Sequence, residues 1–205
     1  ISHGNLRGRD AQWLVGYEGW FAEQAGVTVP ADKPAPPPMF TPYTVRGLTL
    51  KNRVVVSPMA QYSAVDGVAG DYHLMHLGAR AMGGAAMVFA EMTCVSAQGR
   101  ITPGCPGMYT PEHKQAWKRI TDWIHANTDA KFAMQIGHAG AKASTRLAWE
   151  GIDQPLVDAN WPIISASEQQ YLPGVSQTAK AMTLEDMAQV KADFVRSAQD
   201  AADIG

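Results

Sequence analysis

The chain has 205 residues, 46% of them hydrophobic and 18% charged, with a formal net charge of −2. That length holds one large domain, or a domain plus a piece of another, and the composition excludes intrinsic disorder. The charge balance gives no reason to expect nucleic acid or an anionic membrane as partner, and no apolar run reaches the roughly 18 residues that span a bilayer.

The first 29 residues carry Trp13, Leu14, Tyr17, Trp20 and Phe21 on one helical face, with Asp10 placed to cap the helix and Gly26 to end it. An aromatic stripe on a lone helix needs a partner surface, either the domain that follows or an upstream one; residues 1–29 are read as the C-terminal tail of an upstream domain. Residues 30–38 hold five prolines in nine positions. They predict an extended linker of up to about 28 Å, at ~3.1 Å per residue. Phe40–Leu50 alternates around Arg46-Gly47 and predicts a short hairpin. Val54–Val56 predicts a buried strand that Pro58 terminates. Asp71 is placed to cap a helix to about Met82, ended by Gly83-Gly84. Ala86–Glu91 predicts a second buried strand. Thr110-Pro111-Glu112 opens a helix with Trp117, Ile120, Trp123 and Ile124, ending near Asn127. Lys131–Ile136 predicts a third strand. Gly137–Met182 is too long for an ordinary loop and marks function or a small subdomain. Thr183, with Asp186 as its capping-box partner, opens a last helix whose apolar face is read as Leu184, Met187, Val190, Phe194 and Ala198.

The order β-α-β-α-β-loop-α fits right-handed crossovers between parallel strands, which begin both a doubly wound sheet and a (β/α)8 barrel. No G-x-G-x-x-G follows the first strand, which lowers the doubly wound alternative. The fold class is therefore α/β: about three βα units of a (β/α)8 TIM barrel with an N-terminal hairpin, preceded by a linker and a helix. A whole barrel takes about 250 residues, so residues 39–205 are expected to be the N-terminal part of one.

Barrel sites lie at the C-terminal ends of strands. Those ends carry Ser57, Pro58, Met59, Ala60 and Tyr62, then Glu91, Met92 and Thr93, then Gln135 and His138. A turn with free backbone groups, an amide, thioethers and a phenol suit a flat, mostly neutral ligand such as a flavin ring, whose pyrimidine edge an amide can both donate to and accept from. Each residue also has a structural reading. Pro58 can simply stop a strand and Met59 can fill core. Gln135 resists that reading, because an amide on a buried strand must find partners. Tyr62 can be an ordinary half-buried tyrosine, and His138 stands evenly between site and structure. Glu91 serves as a base or anchors a loop. His73 and His76 lack a third ligand and read as helix-face residues, so no metal site is assigned. Cys94 and Cys105 have neither C-x-x-C nor zinc spacing and read as inert thiols of a reducing, cytoplasmic compartment. From spacing alone the reading stops at a cofactor-binding barrel.

KNRVVVSPMAQYS, the histidine-bearing helix, AEMTCVSAQGRIT and MQIGHAGAKAS together resemble, in order and spacing over roughly Met39–Gly205, the old yellow enzyme family of FMN-dependent ene-reductases. GRITPGCPGMYT, WEGIDQPL and NWPIISAS resemble the reductase half of the bifunctional 2-aminobenzoyl-CoA monooxygenase/reductase and salicylyl-CoA 5-hydroxylase group. The leading segment resembles the tail of that group's FAD-dependent hydroxylase half. The resemblance implies that Ser57, Pro58, Met59, Ala60, Met92 and Gln135 contact FMN and that Tyr62 and His138 face the substrate. It implies NADH or NADPH as reductant, FAD in an upstream domain, and an aryl-CoA or other conjugated carbonyl compound as substrate. Ala60 stands where many relatives have threonine or cysteine, and Ala141 where they often have arginine. The catalytic pair (two His, or His and Asn) and the proton donor are expected beyond Gly205, so the isolated piece is expected to be inactive. Lys142 and Arg146 are candidates for contact with an acidic CoA group, or are solvated loop residues. A free-standing ene-reductase and a non-catalytic barrel scaffolding a hydroxylase remain as alternatives, and self-association stays open.

Overall fold

The computed structural model describes Gly8 and residues 10–205; residues 1–7 and 9 of the expected upstream tail lie outside the described residues. Helix α1, Ala11–Gln24, starts where Asp10 Oδ1 accepts from the N–H groups of Gln12 (2.8 Å) and Trp13 (3.1 Å). Gly26, at φ 69°, follows its end. Trp13 stacks on Tyr17 at 4.8 Å, and Trp13 and Trp20 stay exposed. The Arg53 guanidinium lies 5.3 Å from the Phe21 ring and 4.7 Å from that of Tyr43, which joins α1 to the hairpin. The proline-rich linker is bent rather than continuously extended, because the Lys33 N–H donates to the Pro30 carbonyl at 3.0 Å.

The hairpin forms as expected, with β1 (Tyr43–Val45) antiparallel to β2 (Leu48–Leu50) and Arg46 at φ 53° in the turn. The main sheet is parallel, in the order β3 (Val55–Val56), β4 (Met87–Cys94), β5 (Lys131–Gly137). Helices α2 (Asp71–Met82) and α3 (Pro111–Asn127) connect them. Leu77 and Ala81 of α2 and Trp117, Ile120 and Ile124 of α3 share one apolar core with Val88 and Ala90 of β4; Ile204 joins it. Helices α2 and α3 therefore cover the same face of a sheet whose strands run in sequence order. That is the arrangement of successive units in a (β/α) barrel, whereas a doubly wound sheet reverses direction and uses both faces.

Some sequence expectations need correction. The cap of α2 is Gly70, not Asp71: Asp71 is already helical, its carboxylate pairs with Arg119 at 2.7 Å, and the Gly70 N–H donates to His73 Nδ1 at 3.2 Å. The first strand is shorter than Val54–Val56 and is not buried, since Val55 is 42% exposed. Its side chain belongs to the face that the helices leave open. The second strand runs on from Glu91 to Cys94, so Glu91 and Met92 lie within it.

Gly137–Met182 is a small subdomain. It contains α4 (Ala148–Gly151) and a sheet ordered β6 (Ile164–Ser165), β8 (Thr178–Ala181), β7 (Gln169–Gln170), over a core of Ala143, Ile163 and Ala179. Thr183 and Asp186 form the expected capping box of α5, Leu184–Asp203. The face of α5 turned inward is not the expected one. Val190 and Phe194 are half-buried, but Leu184, Met187 and Ala198 are exposed, and Asp193 and Ser197 are buried instead. Polar bonds fix this rotation: Ser197 Oγ donates to the Met108 carbonyl (2.8 Å), and Arg196 bridges the Val95 carbonyl (2.6 Å) and Asp193 (2.8 Å). Among the described residues no helix is long and apolar enough to cross a membrane.

Candidate functional site

The phase of β4 changes at Glu91. Phe89 pairs in register with Ala133 and Ala90 with Met134, but Gln135 pairs with Met92, so Glu91 is an extra residue, a β-bulge. The bulge has two consequences. It turns the Glu91 carboxylate towards α2, and it brings Met92 onto the open face beside Gln135. Met92 lies across Gly137, where a Cβ would meet its Cγ at 2.8 Å and its Sδ at 2.9 Å. Glycine at 137 thus leaves the thioether its place. Gln135 is exposed rather than buried, and its amide has no hydrogen bond among the described residues. The reason is the fold itself: β5 is an edge strand here, and its odd-numbered residues face away from the helical core.

Ser57, Pro58, Met59 and Ala60 follow β3 as a turn over the same end of the sheet. Met59 is 50% exposed. The N–H groups of Met59 and Ala60 make no bond within the described residues, which leaves two donors free. The turn itself is firmly held. Glu91 Oε2 accepts from the Gln61 N–H at 2.7 Å, Gln61 Nε2 donates to the Met59 carbonyl at 2.8 Å, and the Tyr72 hydroxyl donates to Gln61 Oε1 at 2.8 Å. Of the two readings open for Glu91, the geometry gives loop anchor. His73 is the partner of Glu91, at 3.3 Å, and His76 stacks on Tyr72 at 5.8 Å.

Tyr62 and His138 stand apart from Met92 and Gln135. Tyr62, at φ 50°, is half-buried where the turn meets Gly104 and Cys105, near Lys142 and Asp153. Burial pushes its phenol above the ordinary range, the Cys105 thiol adds to this, and Lys142 opposes it. His138 falls on the other phase of β5. Its ring lies against Gly99, its Nδ1 accepts from the Gly140 N–H at 3.1 Å, and its Nε2 is buried. Burial lowers its pKa, with Asp193 opposing. In the unfolded chain an imidazole titrates near 6.5, so protons bind there first and stability falls as the pH drops below about 6.5 and through the folded value. His138→Asn keeps an acceptor for Gly140 without the ionisation. It is expected to flatten the pH dependence of the melting temperature between about pH 7 and 5. An unchanged slope would show that His76 and His113, whose pKa values burial also lowers, account for it.

Lys142 and Arg146 are bound within their own subdomain, Lys142 to Asp153 at 2.8 Å and Arg146 to the Pro155 carbonyl at 3.3 Å. Cys94 and Cys105 are free and fully buried. Each thiol is the main influence on the other, raising Cys94 and lowering Cys105 to about 7; the Thr102 N–H donates to Cys105 Sγ at 3.4 Å, while Cys94 Sγ donates to Met92 Sδ at 3.8 Å. Sequence reasoning missed Gln61, Tyr72, Gly104 and Gly137. The one available signal was Glu91 itself, an acid breaking an otherwise apolar strand.

The donors and acceptors present fit a flavin: two free N–H groups, a free primary amide and a thioether at one end of a sheet. Comparison with known proteins agrees. Residues 38–205 match the model of the NADH:flavin oxidoreductase / NADH oxidase family. The chain is 38% identical to an NADH:flavin oxidoreductase of Gibberella zeae over 171 residues, which are 82% of this chain and 41% of that protein. It is 36% identical to an NADPH dehydrogenase of Listeria monocytogenes, over 82% of this chain and 45% of that one. Morphinone reductase in complex with tetrahydroNAD shares the fold, with a TM-score of 0.69 at 23% identity over 82% of this chain and 47% of that one. The chain spans less than half the length of these relatives.

Proposed function

The chain belongs to the NADH:flavin oxidoreductase / NADH oxidase family, the old yellow enzyme type, and from that membership we propose that the complete gene product is an NAD(P)H-dependent oxidoreductase with FMN at the C-terminal ends of β3, β4 and β5. The observation that carries this is the pairing of Met92 with Gln135 on the open face, beside the free N–H groups of Met59 and Ala60. FMN would supply the relay that takes hydride from the nicotinamide and passes it to the acceptor. The chain's own residues bind and orient. The Gln135 amide and the two N–H groups hold a polar edge, Met92 and Pro58 give an apolar floor, and Tyr62 stands towards the substrate side; His138, on the helix-facing phase with its ring against Gly99 and Asp193 nearby, takes the structural role instead. The test is anaerobic addition of NADPH, then NADH, to the flavin-loaded complete gene product. Bleaching of the visible flavin band is the expected result, and an unaltered spectrum with both nucleotides would refute the proposal.

The acceptor we propose is a conjugated ring, the dearomatised product of aryl-CoA hydroxylation, made by an FAD-dependent hydroxylase domain to which α1 belongs. Two features support it. Two of the segments that resemble the aryl-CoA group meet, with Arg100 5.1 Å from the Trp161 ring, and Trp161 Nε1 donates to the carbonyl of the adjoining Gln98 at 3.1 Å. Leu147, two residues before the WEGIDQPL segment, reaches Gly104 of the GRITPGCPGMYT segment beside Tyr62, so this unit would wall the substrate side. The second feature is the exposed aromatic face of α1, which a neighbouring domain would cover.

Ala60 bears on the cofactor's potential. A threonine or cysteine there can donate a hydrogen bond that favours the reduced, more negative form; alanine cannot. A net hydrogen bond is worth about 0.5–1.5 kcal/mol, or ~10–30 mV for a two-electron couple. Ala60→Cys and Ala60→Thr are expected to raise the potential by that amount in a redox titration. No shift, or a downward one, would mean that residue 60 does not face the ring.

A further inference from the structure

We propose that Glu91 is a positioning residue for the cofactor-facing turn, acting through the Gln61 amide; this rests on the flavin reading above. Glu91 is 3% exposed, an unusual place for a carboxylate unless specific partners hold it there. Each partner has one role. Oε2 accepts from the Gln61 N–H at 2.7 Å, a short, charge-assisted bond. Oε1 stands 3.3 Å from His73 Nε2, within ion-pair distance but without hydrogen-bond geometry, and neither atom has another partner among the described residues. Because His73 Nδ1 accepts from the Gly70 N–H at 3.2 Å, the ring proton lies on Nε2, towards the carboxylate. His73 in turn stands edge-on to Trp117, ring centres 5.9 Å apart. The carboxylate is thus hydrogen-bonded through one oxygen to the backbone of the turn, while its other oxygen lies beside the His73 ring in the core of the βα unit. Gln61 carries the constraint onward through its own side chain, which binds the Met59 carbonyl at 2.8 Å and receives the Tyr72 hydroxyl at 2.8 Å.

The β-bulge makes this specific. The same extra residue that sends the Glu91 carboxylate under the turn puts Met92 beside Gln135. The turn, the thioether and the amide are therefore set in one register by one irregularity. Removal of the Glu91 acceptor frees the Gln61 N–H and with it the Met59 and Ala60 donors, without touching any group that itself meets the cofactor.

The test uses the complete gene product and two independent readouts. Amide hydrogen exchange at Gln61, without cofactor, reports the anchor; FMN affinity reports its use. Glu91→Met keeps the volume and removes the acceptor. It is expected to speed exchange at Gln61 by about tenfold or more, leave Ile120 in α3 unaltered, and weaken FMN binding by about tenfold or more. Glu91→Gln keeps an acceptor and is expected to stay within about threefold of wild type in both readouts. Equal losses in the two variants, or exchange that rises alike at Ile120, would show a packing role and overturn the proposal. So would faster exchange at Gln61 with unaltered FMN affinity. If wild type binds no FMN while Gln61 exchange responds as expected, the flavin reading fails and the anchor stands. Should Glu91→Met not fold, the exposed Tyr72→Phe variant decides: a few-fold faster exchange at Gln61 supports the network, and an unaltered rate overturns it.

Discussion

Trp117→Ala is expected to lower the unfolding free energy of the complete gene product by about 3–5 kcal/mol, the largest effect of any single truncation proposed here. The indole is fully buried at the centre of the core that α2, α3 and the parallel strands share. Its Nε1–H donates to the Gly107 carbonyl at 3.1 Å, so alanine leaves both a cavity and a buried acceptor without its partner. It also meets His73 and, at 6.3 Å, Phe132 of β5. Trp117→Phe refills part of the space and is expected to lose less than Trp117→Ala. Urea denaturation measures both. A loss under about 1 kcal/mol for alanine would mean that the indole is not the centre of this core.

Gly104→Ala is expected to destabilise by about 1–3 kcal/mol or more, and to disturb the site as well. A Cβ at 104 would stand 2.2 Å from the Tyr62 carbonyl oxygen and 2.7 Å from its carbon. Both are backbone atoms, so no side-chain rotation relieves the overlap. Tyr62 is already at φ 50°, and the Ala64 N–H donates to the Gly104 carbonyl at 2.9 Å, so the two strands of loop cannot part without losing that bond. The signature is a lower melting temperature together with weaker cofactor binding. A stability loss with unaltered FMN affinity would separate Tyr62 from the cofactor turn.

Much of the fold was legible because local chemistry and tertiary packing agree. Thr110-Pro111 and Thr183 with Asp186 fix helix starts through side-chain bonds to their own backbones, and Arg46-Gly47 fixes the hairpin in the same local way. Exposure was harder to read. Val55 and Gln135 occupy strands that pattern reading takes as buried, but burial of that face depends on other parts of a barrel, not on local sequence. The rotation of α5 was misread because polar bonds from Arg196 and Ser197 to distant carbonyls outweigh its apolar periodicity. The bulge at Glu91 was invisible for a related reason. Register belongs to the pair of strands, and its effect here is to place an acid in the core and a methionine on the open face. The candidate turn, Met92 and Gln135 follow from their places at strand ends, and the family resemblance assigns them to FMN; the anchor that holds the turn is visible only in the structure.

The cofactor is expected at the C-terminal ends of the strands. The same sheet has a second opening at the other end, a cleft of ≈ 510 Å³ bordered by Leu48, Met87, His125 and Lys131. Lys131 and Gln135 lie on one face of β5, at opposite ends, so paired variants distinguish the two places. The measurement is FMN titration of the complete gene product carrying Gln135→Leu or Lys131→Ala. Gln135 makes no bond that the fold needs, so its loss is felt only by the ligand. Gln135→Leu is expected to lose about 1–3 kcal/mol, or roughly tenfold or more in Kd, at unaltered melting temperature, and Lys131→Ala to change nothing. Unaltered affinity in Gln135→Leu with a loss in Lys131→Ala would contradict this and move the flavin to the opposite end of the sheet.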